Sequence, residues 1–213
     1  MGRSQGPAPR RVLLVLTLLS NFGLLGFFKY FNFFADSFAL AMAALGVNVN
    51  TSTLNIILPV GISFYTFQTL SYTLDIYRGR IQPRQDWLDY LTFVSFFPQL
   101  VAGPIERATH LLPQFATARS FSAEAAVEGC RLILWGLTKK MVLADNLGLF
   151  VEEVFGQVRS ASGADLAWAT LCFAFQIYCD FSAYSDIATG TARLFGIRLI
   201  RNFAYPYFSQ SLT

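Results

Sequence analysis

Between Val12 and Phe34 the chain carries a single charge, Lys29, in a run of Leu, Val and Phe interrupted by Ser20, Asn21 and Asn32. About 20 residues at roughly 1.5 Å rise cross the hydrocarbon core of a bilayer, so a run of this length reads as a membrane span. Arg10 and Arg11 before a Leu-rich stretch could also open a secretory signal. The run, however, continues through Phe27, Phe28, Tyr30 and Phe31 with no small-residue cleavage site at its end, and the expectation is a retained span. The opening Met1-Gly2 does not fit the myristoylation pattern, because Gly6 stands where Ser or Thr is needed. Charged residues make up 14% of the chain against 54% hydrophobic, well below the roughly 25% charged of soluble domains. Too little polar surface is available for water, so membrane lipid is the expected solvent and partner.

The same reading extends along the chain. No Lys or Arg occurs from Asp36 to Asn55; a second apolar stretch, Ile56 to Ile76, is closed by Arg78, Arg80 and Arg84. The positive-inside rule then places Arg10 and Arg11 in the cytoplasm, the uncharged connector outside, and the second arginine cluster back inside. A third stretch, Leu88 to Ile105, is broken by Pro98 and by Gly103-Pro104 and is followed by Arg107 and Arg119. A complete crossing would put those arginines outside, so a re-entrant, broken helix is expected, with its freed backbone groups buried in protein or facing water. Pro59 and Gly61 mark a similar break near the start of the second stretch. Residues Ala123 to Val154 alternate charge with Leu, Val and Trp135 as an interfacial amphipathic helix would. Leu166 to Phe195 reads as an apolar helix, and Ile197 to Thr213 as an aromatic, turn-rich bend. The expected fold is therefore all-α: a polytopic membrane protein with transmembrane, re-entrant and interfacial helices. A polar segment, residues 1–11, precedes one membrane domain, residues 12–213, with no internal repeat or linker.

Several function classes are excluded on composition. The net charge is +3, but the 16 Lys and Arg are dispersed, so no nucleic-acid footprint forms. Cys130, Cys172 and Cys179 lack metal spacing and read as small buried side chains. No metal site, phosphate-binding loop, nucleophile elbow or His-Glu-x-x-His is present. His110 is the only histidine; it falls in a Pro-bounded loop without a nucleophile or orienting acid at useful spacing, so no catalytic residue is assigned.

Chemistry concentrates instead in the last apolar helix, which carries Gln176, Asp180, Ser182, Tyr184, Ser185, Asp186, Thr189 and Arg193. Ser182, Asp186, Thr189 and Arg193 recur at helical spacing on one face, and Asp180 points elsewhere. A carboxylate at membrane depth costs a few kcal/mol, so each acid must be paired, protonated or facing water. Asp180, Ser182, Tyr184, Asp186 and Arg193 are the candidates for lining a polar tunnel or touching substrate, and hydrogen-bonded anchoring between helices is the equally open alternative. Intramembrane acids and broken helices also describe a transporter or channel component.

Six segments taken in order carry a resemblance. They are Gly26-Phe-Phe-Lys-Tyr-Phe-Asn-Phe, Leu58-Pro-Val-Gly-Ile-Ser-Phe-Tyr-Thr-Phe-Gln, Ser71-Tyr-Thr-Leu-Asp-Ile-Tyr-Arg-Gly, Phe97-Pro-Gln-Leu-Val-Ala-Gly-Pro-Ile, Asp180-Phe-Ser-Ala-Tyr-Ser-Asp-Ile-Ala and Asn202-Phe-Ala-Tyr-Pro-Tyr-Phe-Ser-Gln-Ser-Leu-Thr. Together they resemble the membrane-bound O-acyltransferase family, in its bacterial alginate O-acetyltransferase type. One position departs from the pattern: Ala183 stands where Gly is usual. The resemblance implies a partial version of that family's fold, with a tunnel in which an acyl thioester, a co-substrate rather than a cofactor, acylates a hydroxyl of an exopolysaccharide. It also implies a place in the bacterial cytoplasmic membrane and a periplasmic polysaccharide or acyl-acceptor protein as partner. D-alanyl transfer to teichoic acid is the rival within the family. Family members carry further spans before the segment matching Val12, then a Trp- and Arg-rich motif and the catalytic His after the segment matching Thr213. The expectation is an internal fragment, inactive alone.

Overall fold

The computed structural model describes residues 7–49, 54, 57–100, 103–104, 106–202 and 206–209; its regular elements there are all helices, with no strand among the described residues. Parts of several expected features lie outside the described residues: the first six positions, residues 50–53 and 55 of the uncharged connector, Ile56 of the second stretch, Val101, Ala102 and Ile105 of the third, and 203–205 and 210–213 of the closing bend. The chain divides into two units, Met1–Ser95 with Arg107–Leu112 and Phe96–Glu106 with Pro113–Thr213.

In the first unit, α1 (Pro7–Leu25), a π-helical segment (Gly26–Tyr30) and α2 (Phe31–Ala44) follow one another as a single rod. Its apolar length, Pro9–Ala44, covers 36 residues with 6% of the best window buried, so it is not the core helix of a soluble protein. Leu19, Phe33 and Leu40 stand 65%, 63% and 73% exposed, a surface suited to lipid. The helix outruns the expected end at Phe34 by ten residues, because Phe38-Ala-Leu-Ala-Met-Ala-Ala is made of strong helix formers with no break before Gly46.

The second stretch is correspondingly shorter than expected: α3 (Ile62–Tyr77) begins six residues late. It runs antiparallel to α1, fixed at both ends. The Arg10 guanidinium donates to the carbonyls of Ile76 and Tyr77 at 3.5 and 3.2 Å, capping the C-terminus of α3, and at the other end Lys29 Nζ donates to Ser63 Oγ at 3.1 Å. A cation at orphan helix carbonyls is favourable for both charge and hydrogen bonding. α4 (Trp87–Ser95) is tied to α3 by the buried Gln68 amide, which donates to the Phe93 carbonyl at 2.6 Å. The break of the third stretch is real: after α4 come an extended Phe96 and a 3₁₀ turn, Phe97–Gln99, assigned to the second unit. His110 is not in a loop, as expected, but exposed in the first turns of α5 (Ala108–Ala116).

The second unit is built on two long helices. One is α6 (Ala123–Thr138), a π segment (Lys139–Ala144) and α7 (Asp145–Gly156) in continuous succession; the other is α8 (Gly163–Leu194), begun by a capping box in which Ser162 and Asp165 satisfy each other's backbone N–H. The 123–156 segment, expected to be an interfacial helix, packs antiparallel along α8. Glycines set the approach. A Cβ on Gly190 would fall 2.5 Å from the Gly129 carbonyl, one on Gly136 would fall 2.6 Å from Ile187 and 2.7 Å from the Ala183 carbonyl, and one on Gly148 would meet Gln176 at 2.9 Å. Small residues let two backbones touch, the usual basis of helix association in lipid. Cys172 and Cys179 are buried as expected, but Cys130 is exposed on α6.

Gly190→Ala and Gly136→Ala are each expected to cost about 1–3 kcal/mol through overpacking. Thermal unfolding in detergent checks this, with Gly156→Ala, where a Cβ meets nothing within 4 Å, as the unaffected comparison.

Candidate functional site

Each helix of the second unit carries charges in its middle, and the π segment decides how they meet. In a π turn the backbone bonds run from i to i+5, and here the Asp145 N–H donates to the Lys140 carbonyl. Residues five apart are thereby stacked, so Lys140 Nζ also reaches Asp145 Oδ1 at 2.8 Å and, across to α8, Asp180 Oδ1 at 2.8 Å. Tyr184 lies beneath the same ammonium, its ring centre 5.8 Å away.

Lys139, one residue earlier, turns into the contact itself. Its side chain is 9% exposed; Nζ meets Asp186 Oδ2 at 2.7 Å and donates to Ser182 Oγ. Two acids of α8 that would each be costly in an apolar medium are thus each paired with one of two adjacent lysines, Lys140 being shared with the more exposed Asp145. The expected face of Ser182, Asp186, Thr189 and Arg193 exists, and Asp180 does point away from it, but the lysines that make sense of both were read as interfacial charges. The sequence signal was available: adjacent cations in the middle of an apolar helix require partners as strictly as the aspartates do.

Towards the C-terminal end of α8, Arg193 pairs with Glu128 of α6. A cavity of about 410 Å³ opens beside this pair, lined by Trp135, Asp186, Thr189, Arg193, Arg201 and Asn202 with apolar walls from Leu132 and Leu199. Of the five candidates, Asp186 and Arg193 line it, while Asp180, Ser182 and Tyr184 do not. The far wall, residues 199–202, comes back onto α8 because the helix ends at Phe195 and Gly196 takes φ +69°, with Ile197 N–H donating to the Ala192 carbonyl. Two side chains then hold the returning segment. Gln114 brackets Arg198, accepting its N–H at 2.8 Å and donating to its carbonyl at 2.9 Å, and the buried Glu106 carboxylate accepts the Ile200 N–H. Neither Glu106 nor Gln114 was legible as a site residue, since a loop acid and a loop amide are ordinarily solvated.

The helix-breaking residues shape ends rather than kinks. Pro59 supplies the carbonyl that accepts the Ile62 N–H, and Gly61, at φ +78°, is the left-handed residue from which α3 starts. Pro98 sits in the 3₁₀ turn, and Pro104 is fully buried. A Cβ on Gly103 would lie 2.6 Å from Gln99 Cα and 3.3 Å from Ala188 Cβ, so this turn touches α8 two residues from Asp186. No group of three His, Cys, Asp or Glu among the described residues could hold a metal.

The site can therefore present one buffered carboxylate, hydroxyls and guanidinium groups at a helix pair, but no imidazole. Lys139→Met is expected to cost about 3 kcal/mol by leaving Asp186 without its cation, and Lys139→Met combined with Asp186→Leu to recover most of it. Unfolding of the single and double variants in one detergent measures the difference.

No protein-family model matches the chain. Over 201 residues it is 38% identical to a probable alginate O-acetylase of Pseudomonas aeruginosa, covering 94% of this chain and 38% of that protein. It is 36% identical to a peptidoglycan O-acetyltransferase of Helicobacter pylori, covering 96% of the chain and 43% of the relative. It is 24% identical to a teichoic acid D-alanyltransferase of Lacticaseibacillus rhamnosus, covering 70% and 39%. The chain spans about two fifths of the length of these relatives.

Proposed function

We propose, from the premise that this chain belongs to the membrane-bound O-acyltransferase family, that it forms the helical wall of a site that transfers an acetyl group to a hydroxyl of a bacterial cell-envelope polysaccharide. The observation that carries this reading is the similarity to O-acetyltransferases, which runs through both helical units. The reaction is attack of the acceptor hydroxyl oxygen on the carbonyl of an acyl thioester. The C–S bond breaks, the thiolate leaves, and the hydroxyl proton passes to a base. Dry helical walls suit this chemistry because they keep water from competing for the acyl carbon. Asp180, Ser182, Tyr184, Asp186 and Arg193 contribute to that wall and its alignment, and no residue of this chain acts as the base. His110, the one histidine of the sequence, is exposed on α5.

The membrane topology is part of the same reading. α8 is long and apolar enough to cross, over Gly163–Leu194, and α6 to α7 crosses beside it because the two are packed antiparallel. Arg119, Arg131, Arg193, Arg198 and Arg201 gather at one end of this pair, which by the positive-inside rule supports a reading with that end on the cytoplasmic side of a multi-pass protein of the cytoplasmic membrane. The 157–162 turn then faces the periplasm, where a polysaccharide or an acyl-acceptor protein would be met.

D-alanyl transfer to teichoic acid ranks second on the lower identity to that relative. The transporter reading is weakened by the pairing of Asp180 and Asp186 with lysines, which leaves neither carboxylate as a bare ion ligand.

Two measurements test the proposal. In a background without native cysteines, Ser160→Cys is expected to react with a membrane-impermeant maleimide added to intact spheroplasts, and Thr117→Cys only after lysis; the reverse pattern would sink the topology. The purified 213-residue chain is expected to transfer no acetyl group from an acetyl thioester to alginate. Measurable transfer would show that the chain holds its own base.

A further inference from the structure

The cavity beside Asp186 and Arg193 has a charge balance that the acyl-transfer reading does not use. Its volume of about 410 Å³ is within the range of small-molecule sites, about 300–1,000 Å³. Asp186 is neutralised by Lys139, and Arg193 is neutralised by Glu128. Arg201 also lines the space, is exposed, and enters no ion pair with a carboxylate among the described residues. The lining therefore carries one net positive charge. Around it stand the Thr189 hydroxyl, the Asn202 amide and the outer face of the Arg193 guanidinium, all able to donate to one group with several acceptor oxygens. Leu132, Leu199 and the half-exposed Trp135 make the rest of the wall apolar.

A guanidinium flanked by neutral donors is built for an oxyanion, and Arg pairs with phosphate through parallel, charge-assisted hydrogen bonds. The cavity also lies at the arginine-rich end of the helix pair, with an indole at its rim, which is the composition of a headgroup-level site on the positive side of a membrane. The wall carrying Arg201 is not a loose tail, because Gln114 and Glu106 fix the backbone at Arg198 and Ile200.

We propose that this cavity binds a phosphate-bearing group, held by Arg201 with Arg193, Thr189 and Asn202, whether the phosphate belongs to an anionic phospholipid or to a soluble phosphate ester. The inference is independent of catalysis, and its test reads no acyl transfer, so its failure leaves the proposed function standing.

Trp135 provides the reporter. Of the three tryptophans, Trp87 and Trp168 are exposed elsewhere. The Trp87→Phe, Trp168→Phe variant of the full chain leaves Trp135 as the sole indole. It is titrated with glycerol 3-phosphate in detergent and, separately, compared in nanodiscs of phosphatidylcholine with increasing phosphatidylglycerol. A saturable change in Trp135 emission is expected. Response to glycerol 3-phosphate assigns the site to soluble esters; response to phosphatidylglycerol alone assigns it to lipid. Arg201→Gln is expected to weaken the responding probe at least tenfold, whereas Arg159→Gln, in the turn at the opposite end of α8, leaves it unchanged. Unchanged affinity in Arg201→Gln, with circular dichroism matching the parent, overturns the proposal, and so does the absence of a saturable signal with both probes.

Discussion

The second unit depends on one constraint: two long helices must come close enough for their backbones to touch while each carries charge at its middle. Gly129, Gly136 and Gly190 provide the approach, and the lysine–aspartate pairs provide the neutrality. Neither would hold without the other. If the helices stood further apart, Lys139 could not reach Ser182 and Asp186 together. If the lysines were absent, close packing would trap two bare carboxylates in an apolar medium.

The π segment is the device that joins these requirements. Adjacent residues on an α-helix diverge by about 100° around its axis, at roughly 3.6 residues per turn, and two neighbouring lysines would ordinarily serve different surfaces. The wider turn over Lys139–Ala144 lets Lys140 be clamped by its own i+5 partner, Asp145, while both lysines address α8. Ser182 and Asp186 are then held at a defined orientation, and Asp186 becomes the fixed edge of the cavity that continues to Arg193 and Arg201. Alignment at the middle of the pair and the cavity at its arginine-rich end are two consequences of one packing arrangement.

The first unit solves a different problem with the same materials. Arg10 closes the C-terminus of α3 and Lys29 its N-terminal end, so two charges fasten the antiparallel pair at its two ends. The separation in sequence between Arg10 and Tyr77 hides this from any local reading.

The sequence by itself determined the helical class, the first apolar helix between Val12 and Phe34, the break in the third stretch and the face shared by Ser182, Asp186, Thr189 and Arg193, because periodicity, hydropathy and the proline and glycine stops act over a few turns of chain. It did not determine where α2 ends, where α3 begins, that His110 is helical, or that the 123–156 helix packs along α8. Those outcomes, the choice of Lys139 and Lys140 among 16 cationic residues as partners of Asp186 and Asp180, and the recruitment of Glu106 and Gln114 to hold residues 198–200, were decided only in three dimensions. A buried charge selects its partner by distance and by the absence of water, and neither is written in the order of the residues.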